Sequence, residues 1–243
     1  MIFINNINLS FDDKDVIKGL SLRVPKGERV AIVGPSGCGK STLLRLIIGL
    51  ITPNAGNIYI QGTDMAALTE HKRFKLRDKI GFLFQSGALF DFMTVAQNLA
   101  FPIIESEKRI SGAELRSKIA QTLAKVGMSG YENKMPSSLS GGQSKRVALA
   151  RLLMKDPEII LFDEPTTGLD PVLSTSIEDL MIGLSESEGI TSVLVTHQIS
   201  TIRRVPRLIY YMKNGSLLPA ETSEGLATTS CDQLAHFMRG GQS

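Results

Sequence analysis

The stretch Gly34-Pro-Ser-Gly-Cys-Gly-Lys40-Ser41 decides the fold that this sequence predicts. It fits the pattern G-x-x-x-x-G-K-[ST], in which glycines let backbone N–H groups surround phosphate oxygens, the lysine approaches the β- and γ-phosphates and the hydroxyl can bind Mg²⁺. An unbroken apolar run, Val30–Val33, precedes the motif, and a helical stretch begins at Lys40. The motif therefore lies between a buried strand and a helix N-terminus, whose partial positive charge also attracts phosphate.

A second motif consists of an apolar run, Ile159–Phe162, followed by two adjacent carboxylates, Asp163 and Glu164. By itself this pattern is typical of a core strand whose last residues reach solvent. Beside a phosphate loop, one carboxylate at a strand end suits Mg²⁺ coordination, and the next suits polarisation of an attacking water molecule. The pattern predicts the first role for Asp163 and the second for Glu164.

A third motif, Leu139-Ser140-Gly141-Gly142-Gln143, precedes a helix that runs through about Met154. Ser140 is a favourable N-cap. The glycines after it weaken the start of the helix by up to ~1 kcal/mol each. They leave N–H groups accessible, as a second anion site requires. Either the chain binds two phosphate groups separately, or two copies enclose one nucleotide between unlike surfaces.

Together with Gly168-Leu169-Asp170 and a lone histidine, His197, these motifs resemble the complete set of an ATP-binding cassette (ABC) ATPase over residues 1–218. Taken alone, His197 would be a solvated loop histidine. The resemblance implies ATP and Mg²⁺ as cofactors, and a homodimer in which two head-to-tail copies close on two Mg·ATP. Reopening of this dimer after hydrolysis would drive a separate membrane permease.

The resemblance also implies a role for each matching residue. Phe11 stacks on adenine, at a position where many family members carry tyrosine. Gln85 contacts Mg²⁺ and the attacking water, and His197 contacts the γ-phosphate. The implied catalytic residues are Glu164, His197, Gln85 and Lys40, and the implied metal ligands are Ser41, Gln85 and Asp163.

Some of the implied residues act across the dimer. Ser140 and Gly142 would contact the nucleotide held by the other copy, and Asp170 would lie in the loop that links the two sites. The implied nucleotide-binding residues are Phe11, Gly34, Pro35, Ser36, Gly37, Cys38, Gly39, Lys40, Ser41, Thr42, Gln85, Asp163, Ser140, Gly141, Gly142, Gln143 and Asp170.

The order of strands and helices predicts an α/β protein: a P-loop NTPase core of the RecA-like type, with an antiparallel edge sheet and an inserted helical subdomain. Leu20–Val24 alternates apolar and polar residues, as in a sheet with one wet face. Glu158–Phe162 and Thr191–Thr196 are predicted buried strands joined by a helix over about 171–187. We predict a nucleotide-binding core at 1–88 and 158–218, a helical (signature) subdomain at 89–157 and a C-terminal tail at 219–243.

Composition sets limits on where and with what the protein works. The 243 residues carry a net charge of only +3, so nucleic acid is not expected as a partner. The two cysteines, Cys38 and Cys231, indicate a reducing compartment rather than a disulfide framework. The sequence has no visible signal peptide and no apolar run near the ~18 residues that cross a bilayer. We expect a peripheral protein at the cytoplasmic face of the inner (plasma) membrane, held there by the permease.

The residues around Gln85 indicate a subfamily. The stretch Phe84-Gln85-Ser86-Gly87-Ala88-Leu89-Phe90-Asp91, with Met93-Thr94-Val95, Asn98 and Phe101-Pro102 after it, resembles the ATPase subunit of Mla-type, Mce-associated phospholipid transporters. That resemblance implies phospholipid transport between membranes, together with periplasmic or accessory lipid-binding subunits. The alternatives are an ABC ATPase of a cell-division or lipoprotein-release system, or a soluble ABC protein. Against the last, the chain lacks a long heptad insertion, zinc-site cysteines and a second cassette.

Two surfaces and one thiol allow further expectations. The basic run over 71–79 is either a solvated helix face or a contact for anionic lipid headgroups or an acidic partner. The apolar residues over 89–93 either belong to the core or form a groove near Leu89–Met93 that receives a permease helix. Cys38, beside Lys40 and a helix N-terminus, is expected to have a lowered thiol pKa.

Overall fold

The computed structural model describes residues 1–12, 14–106, 110–227, 229 and 231–240 of the chain. The strands are β1 (Ile2–Phe11), β2 (Lys14–Val24), β3 (Arg29–Val33), β4 (Ala55–Ile60), β5 (Thr63–Asp64), β6 (Ile80–Leu83), β7 (Ile159–Asp163), β8 (Thr191–Val195), β9 (Leu208–Lys213), β10 (Ser216–Leu217) and β11 (Glu221–Thr222). The α-helices are α1 (Lys40–Ile47), α2 (Glu70–Arg77), α3 (Val95–Ile104), α4 (Gly112–Lys125), α5 (Gly141–Leu153), α6 (Pro171–Glu188), α7 (Ile199–Arg204) and α8 (Asp232–Met238).

A central sheet has the order β10-β9-β3-β8-β7-β6, and β11 also pairs antiparallel with β9. Its neighbours β3, β8, β7 and β6 run parallel, and β3 and β8 are buried along their whole length. This burial explains their unbroken apolar runs, since helices and a second sheet cover both faces. The predicted unit of two parallel strands joined by a helix is confirmed in β7, α6 and β8.

A smaller antiparallel sheet, in the order β2-β1-β4-β5, forms the predicted edge sheet. Its buried side chains, such as Ile4 and Leu22, share one apolar cluster with Leu44 of α1 and Val193 of β8. The inner faces of the two sheets thus enclose α1, whose first residue follows the phosphate loop. This packing confirms the predicted α/β class with an antiparallel edge sheet.

Helices α3, α4 and α5 pack over the opposite face of the central sheet. One face of α4 is apolar, and its Ile119 and Leu123 are buried in a cluster with Leu149 of α5 and Phe162 of β7. The boundaries 89 and 157 of the helical subdomain stay a prediction, and residues 107–109 within them lie outside the described residues.

The basic run over 71–79 lies on and just after α2, which buries none of its residues. Arg73 and Arg77 bind the carboxylate of Glu70, and Arg77 also donates to the backbone carbonyls of Ile48 and Gly49. These contacts tie α2 to the end of α1. Part of the predicted basic surface therefore stabilises the chain's own fold.

The C-terminal part folds back on the central sheet. Asn214 and Gly215 have φ values of 50° and 82°, as a two-residue hairpin turn between β9 and β10 requires. Helix α8 buries Leu234, and Phe237 meets Tyr211 of β9 with ring centroids 5.7 Å apart. The predicted tail thus contacts the core over its described part, while residues 228, 230 and 241–243 lie outside it.

The longest helix, α6, has 18 residues, and α6 is amphipathic rather than apolar. Within the described ranges, no helix combines the length and the apolar character that crossing a bilayer demands.

Candidate active site

One group of the predicted site residues gathers where the parallel strands end. The phosphate loop follows β3, and Gln85 follows β6. Asp163 ends β7, Glu164 comes directly after it, and His197 follows β8. Since β3, β8, β7 and β6 are parallel neighbours, their carboxyl ends meet at one edge of the sheet. Ligands of open α/β sheets bind at this edge.

Two positions of the phosphate loop require glycine, because a larger residue would collide with neighbouring atoms. Gly34 and Gly39 have φ values of 149° and 106°, in the region that favours glycine. A Cβ on Gly34 would collide with the Met212 carbonyl, and one on Gly39 would lie 2.9 Å from the Met212 side chain and 3.1 Å from that of Ile17. The loop can therefore take its path against β9 only with glycine at both positions.

Lys40 is held within the loop that precedes it. Its side chain is buried, and Nζ donates to the carbonyls of Gly34 at 2.8 Å and Pro35 at 2.7 Å. Lys40 is also the first residue of α1. A positive charge and a helix N-terminus thus meet at one place, as a polyphosphate site requires.

Ser41 and Asp163 meet across 122 positions of sequence. The Ser41 hydroxyl donates to Oδ1 of Asp163 at 2.8 Å. A hydroxyl and a carboxylate oxygen are hard ligands of the kind that Mg²⁺ prefers. Ser41 and Gln85 line one cavity, so the three predicted metal ligands occupy adjoining positions.

Glu164 is fixed by contacts to both of its carboxylate oxygens. Oε1 lies 2.7 Å from Nδ1 of His197, and Oε2 accepts from the hydroxyls of Thr167 at 3.0 Å and Thr196 at 3.2 Å. Its backbone N–H donates to the Val195 carbonyl of β8. The φ of Glu164 is 50°, a left-handed conformation that costs a non-glycine residue about 1 kcal/mol or more. The surrounding contacts hold this strained residue in place.

Two contiguous cavities lie along the loop. The smaller, of about 350 Å³, is lined by Lys40, Ser41, Thr42, Gln85, Glu164 and His197 together with Val16, Ser36, Gly37 and Gly39. The larger, of about 860 Å³, shares Val16, Ser36 and Gly37 with it and extends past Pro35 and Cys38 to Phe11 and the turn at 214–215. The ring of Phe11 is half exposed there. An elongated ligand with anionic and aromatic ends would fill both cavities.

The third motif lies elsewhere in the chain. Ser140 caps α5 through a reciprocal pair of hydrogen bonds with Gln143. Residues 140–143 are all described, and none of them lines either cavity. Gly142 faces Leu173 of α6, where an added Cβ would lie 2.9 Å from the leucine side chain. Close packing against α6 is therefore a reason for this glycine that the sequence did not reveal.

Asp170 likewise lies outside both cavities, and it caps α6. Its carboxylate accepts from the N–H groups of Val172 and Leu173, both at 2.9 Å. Leu169, just before it, lies against Gly141. The loop after Glu164 and the start of α5 are thus neighbours within one chain.

The expected low pKa of Cys38 is wrong. Burial raises the pKa of the Cys38 thiol, and this effect outweighs the Lys40 charge and the hydrogen bonds that lower it. The sequence placed a cation and a helix N-terminus near the sulfur correctly, but it could not reveal how far the loop shields that sulfur from water.

Sequence reasoning missed Lys145, Thr167 and Thr196. Lys145 of α5 is buried and donates to the backbone carbonyl of Gln85, so it joins the third motif's helix to the Gln85 loop. Burial lowers the pKa of Lys145, while the charge of Glu164 opposes the shift. Thr167 lies three residues after Glu164 and Thr196 directly precedes His197 in the sequence, and this closeness was the available signal.

Comparison with known proteins identifies the class that this fold and site define. The family model described as "ABC transporter" matches residues 17–167. The chain belongs to the ABC transporter family, and it is an ATPase of that family, as the motifs predicted.

Three relatives differ in what their names describe. Protein TRIGALACTOSYLDIACYLGLYCEROL 3, chloroplastic, from Arabidopsis thaliana is 40% identical, over 95% of this chain and 71% of the relative. The intermembrane phospholipid transport system ATP-binding protein MlaF from Haemophilus influenzae is 36% identical, over 99% of this chain and 90% of the relative. The methionine import ATP-binding protein MetN from Caulobacter vibrioides is 44% identical, over 78% of this chain and 56% of the relative.

A solved structure has the same architecture. It is a dimeric ATP-binding cassette in a post-hydrolysis state, bound to ADP and Pi. It superposes with a TM-score of 0.83 at 35% identity, over 92% of this chain and 99% of that one. The predicted ABC cassette fold is confirmed.

Proposed function

We propose that this chain is the ATP-hydrolysing subunit of a phospholipid transporter of the Mla type. The observation that carries the ATPase half of the proposal is the Glu164–His197 contact of 2.7 Å beside the Ser41–Asp163 contact of 2.8 Å. Phosphoryl transfer needs a positioned water, a γ-phosphate contact and a metal shell, and these two pairs supply side chains for each.

Glu164 orients and polarises the attacking water. Its Oε1 contacts His197, yet a carboxylate oxygen has two acceptor positions, so one remains for the water. The hydroxyls of Thr167 and Thr196 fix Oε2 and thereby the plane of the carboxylate. His197, whose other ring nitrogen faces away from Glu164, contacts the γ-phosphate.

The remaining residues bind the nucleotide. Lys40 places its ammonium against the β- and γ-phosphates, and the loop N–H groups surround their oxygens. Phe11 stacks on the adenine at the far end of the larger cavity. Ser41, Asp163 and Gln85 would hold Mg²⁺, which neutralises charge developing on the phosphate oxygens. The hydroxyl–carboxylate pair of Ser41 and Asp163 fits such an ion.

The third motif acts on the nucleotide of a second copy. Residues 140–143 do not line the cavities of their own chain. The dimeric state of the related cassette supports a head-to-tail homodimer in which Ser140 and Gly142 close over the opposite ATP. Asp170 then lies in the loop between the two sites.

The permease docks near Leu89–Met93. Phe92 is 76% exposed, whereas Leu89 packs against the core and Phe90 is half buried between Phe101 and Arg151. The core interpretation therefore fits Leu89, and a docking surface fits Phe92. Docking there places the chain peripherally on the cytoplasmic face of the inner membrane, with accessory lipid-binding subunits beyond the permease.

Phospholipid is the proposed cargo because the MlaF relative, aligned over nearly the whole chain, is named for phospholipid transport. A second candidate is an importer of a small solute, which the MetN relative supports at higher identity over a shorter span. Cell-division and lipoprotein-release systems stay alternatives from the sequence.

Isolation of the chain with its native membrane partners separates these assignments. We expect a permease that carries bound phospholipid and whose ATPase activity rises in phospholipid vesicles. A complex that is stimulated by methionine instead would support the importer, and a chain that binds no membrane protein would contradict transport.

A further inference from the structure

We propose that Glu178, a buried carboxylate far along α6, is a positioning residue for the catalytic pair Glu164 and His197. It acts through a chain of buried and part-buried hydrogen bonds that passes Thr201, Thr166, Gln198 and Thr196 and ends at the carboxylate of Glu164. The inference rests on the proposed catalytic role of Glu164.

Glu178 is only 2% exposed, and both of its oxygens are used. Oε1 accepts from the Thr201 hydroxyl at 2.7 Å, and Oε2 accepts from Arg204 at 3.2 Å. Arg204 already pairs with the exposed Asp179 at 2.7 Å and donates to the Thr175 carbonyl. A buried carboxylate is costly unless it is fully paired, and Thr201 and Arg204 of α7 supply those partners.

Glu178 sets the direction of the hydroxyl hydrogens. A threonine hydroxyl has one hydrogen, and that of Thr201 points to Glu178. Thr166 therefore supplies the hydrogen for both of its hydroxyl contacts, a three-centre bond that reaches Oε1 of Gln198 at 2.6 Å and the Thr201 oxygen at 3.2 Å. Thr166 and Thr201 are fully buried, so the carboxylate selects one arrangement of the hydroxyls.

Gln198 passes this order to the catalytic pair. Its side-chain amide is fixed by Thr166, accepting at Oε1 and donating from Nε2 to the Thr166 carbonyl at 3.3 Å. Its backbone N–H donates to the Thr196 hydroxyl at 3.1 Å, which in turn donates to Oε2 of Glu164 at 3.2 Å. His197 lies between Thr196 and Gln198 in the chain, so both of its neighbours are anchored.

The network should affect the rate of ATP hydrolysis more than the affinity for the nucleotide. None of its bonds includes the phosphate loop, Lys40 or Phe11. A fully satisfied buried network holds its members rigidly. Loss of one link should therefore loosen Glu164 and His197 while leaving the main nucleotide contacts intact.

The test compares Thr201→Val and Glu178→Gln with wild type in steady-state ATP hydrolysis. Each should lower kcat about 10-fold, as loss of a partner that orients a reacting group does, with KM for ATP little changed. Thr201→Ser keeps the hydroxyl and should retain kcat. The double variant should be no slower than either single one, because both break the same path.

Two matched controls separate positioning of the catalytic pair from loss of an Arg204 partner and from loss of stability. Asp179→Asn removes the other carboxylate that pairs with Arg204 and should leave kcat unchanged. Thr122→Val deletes a buried hydroxyl that donates to the Lys118 carbonyl within α4 and should lower the melting temperature without lowering kcat.

The outcomes are distinguishable from failure of the proposed function. Glu164→Gln, measured alongside, must lose activity if the catalytic assignment is right. If it does while Thr201→Val and Glu178→Gln keep wild-type kcat, positioning by Glu178 is overturned. An equal loss in Thr122→Val would overturn it too, because the effect would then follow stability alone.

Discussion

Oε1 of Glu164 lies 2.7 Å from Nδ1 of His197, although 33 positions separate the two residues. The contact joins the end of β7 to the residue two positions past β8, strands that are parallel neighbours. It also coincides with a left-handed backbone at Glu164. Strain of this kind persists where surrounding contacts over-determine a conformation, often at catalytic positions.

Glu164→Gln should bind Mg·ATP but hydrolyse it at least about 10²-fold more slowly, the scale of a lost general base. The amide is nearly isosteric, so His197 and the threonines keep their places. Hydrolysis rates and size-exclusion chromatography with ATP check this, and the variant should accumulate as an ATP-bound dimer. Glu188→Gln, at an exposed carboxylate paired with Lys125, is the control. Unchanged turnover would remove Glu164 from the mechanism.

Alkylation of Cys38 should be slow at neutral pH and should accelerate as the pH rises. The pKa of this thiol is raised by burial, and the thiolate is the reacting species. Maleimide should inactivate the ATPase along this pH profile, and Mg·ATP should protect it. The rates are measured in a Cys231→Ala background. A rate that levels off near neutral pH would contradict the raised pKa, and inactivation that persists in Cys38→Ala would place the sensitive thiol elsewhere.

Phe92→Asp should abolish docking to the permease while leaving the melting temperature of the isolated chain unchanged. The ring is 76% exposed, so the carboxylate stays in water until a partner covers it, and an unpaired buried carboxylate is then strongly unfavourable. Phe90→Asp should also lower the melting temperature, because its ring packs on Phe101 with centroids 4.8 Å apart.

Co-purification with the permease and thermal unfolding measure these effects. Leu50→Asp changes another exposed apolar residue, 57% exposed and outside the proposed surface, and should dock normally. A stable Phe92→Asp that still docks would move the membrane-facing surface elsewhere on the chain.

Asn98→Ala should destabilise the protein by about 1–3 kcal/mol, the cost of leaving buried polar groups unpaired. Asn98 is fully buried; its Oδ1 accepts from Phe90 N–H, and its Nδ2 donates to the carbonyls of Phe90, Met93 and Thr94. One side chain thus shapes the whole 90–94 loop. Urea unfolding measures the change, with the exposed Gln121→Ala as control. A change below about 0.5 kcal/mol would mean that water replaces these bonds.

The buried parallel strands, the phosphate loop and the meeting of Ser41 with Asp163 follow from sequence, because these motifs lie next to buried apolar runs. Parallel strands bring such neighbours to one edge without further information. The hydroxyls of Thr167 and Thr196 on Glu164 do not follow, since threonine is common and its partners depend on side-chain direction. Whether the pKa of the Cys38 thiol is raised or lowered depends on how deeply the sulfur is buried, and no local sequence pattern predicts that burial.

Because Gly142 lies against Leu173 and Asp170 caps the same helix, the surface that would face the opposite ATP is coupled to the segment that follows Glu164. A displacement of Asp170 on loss of phosphate would move the first turn of α6, and with it the leucine that touches Gly142. In the proposed dimer, we therefore expect each catalytic centre to respond to nucleotide at the other. ATP hydrolysis should then rise sigmoidally rather than hyperbolically with ATP concentration.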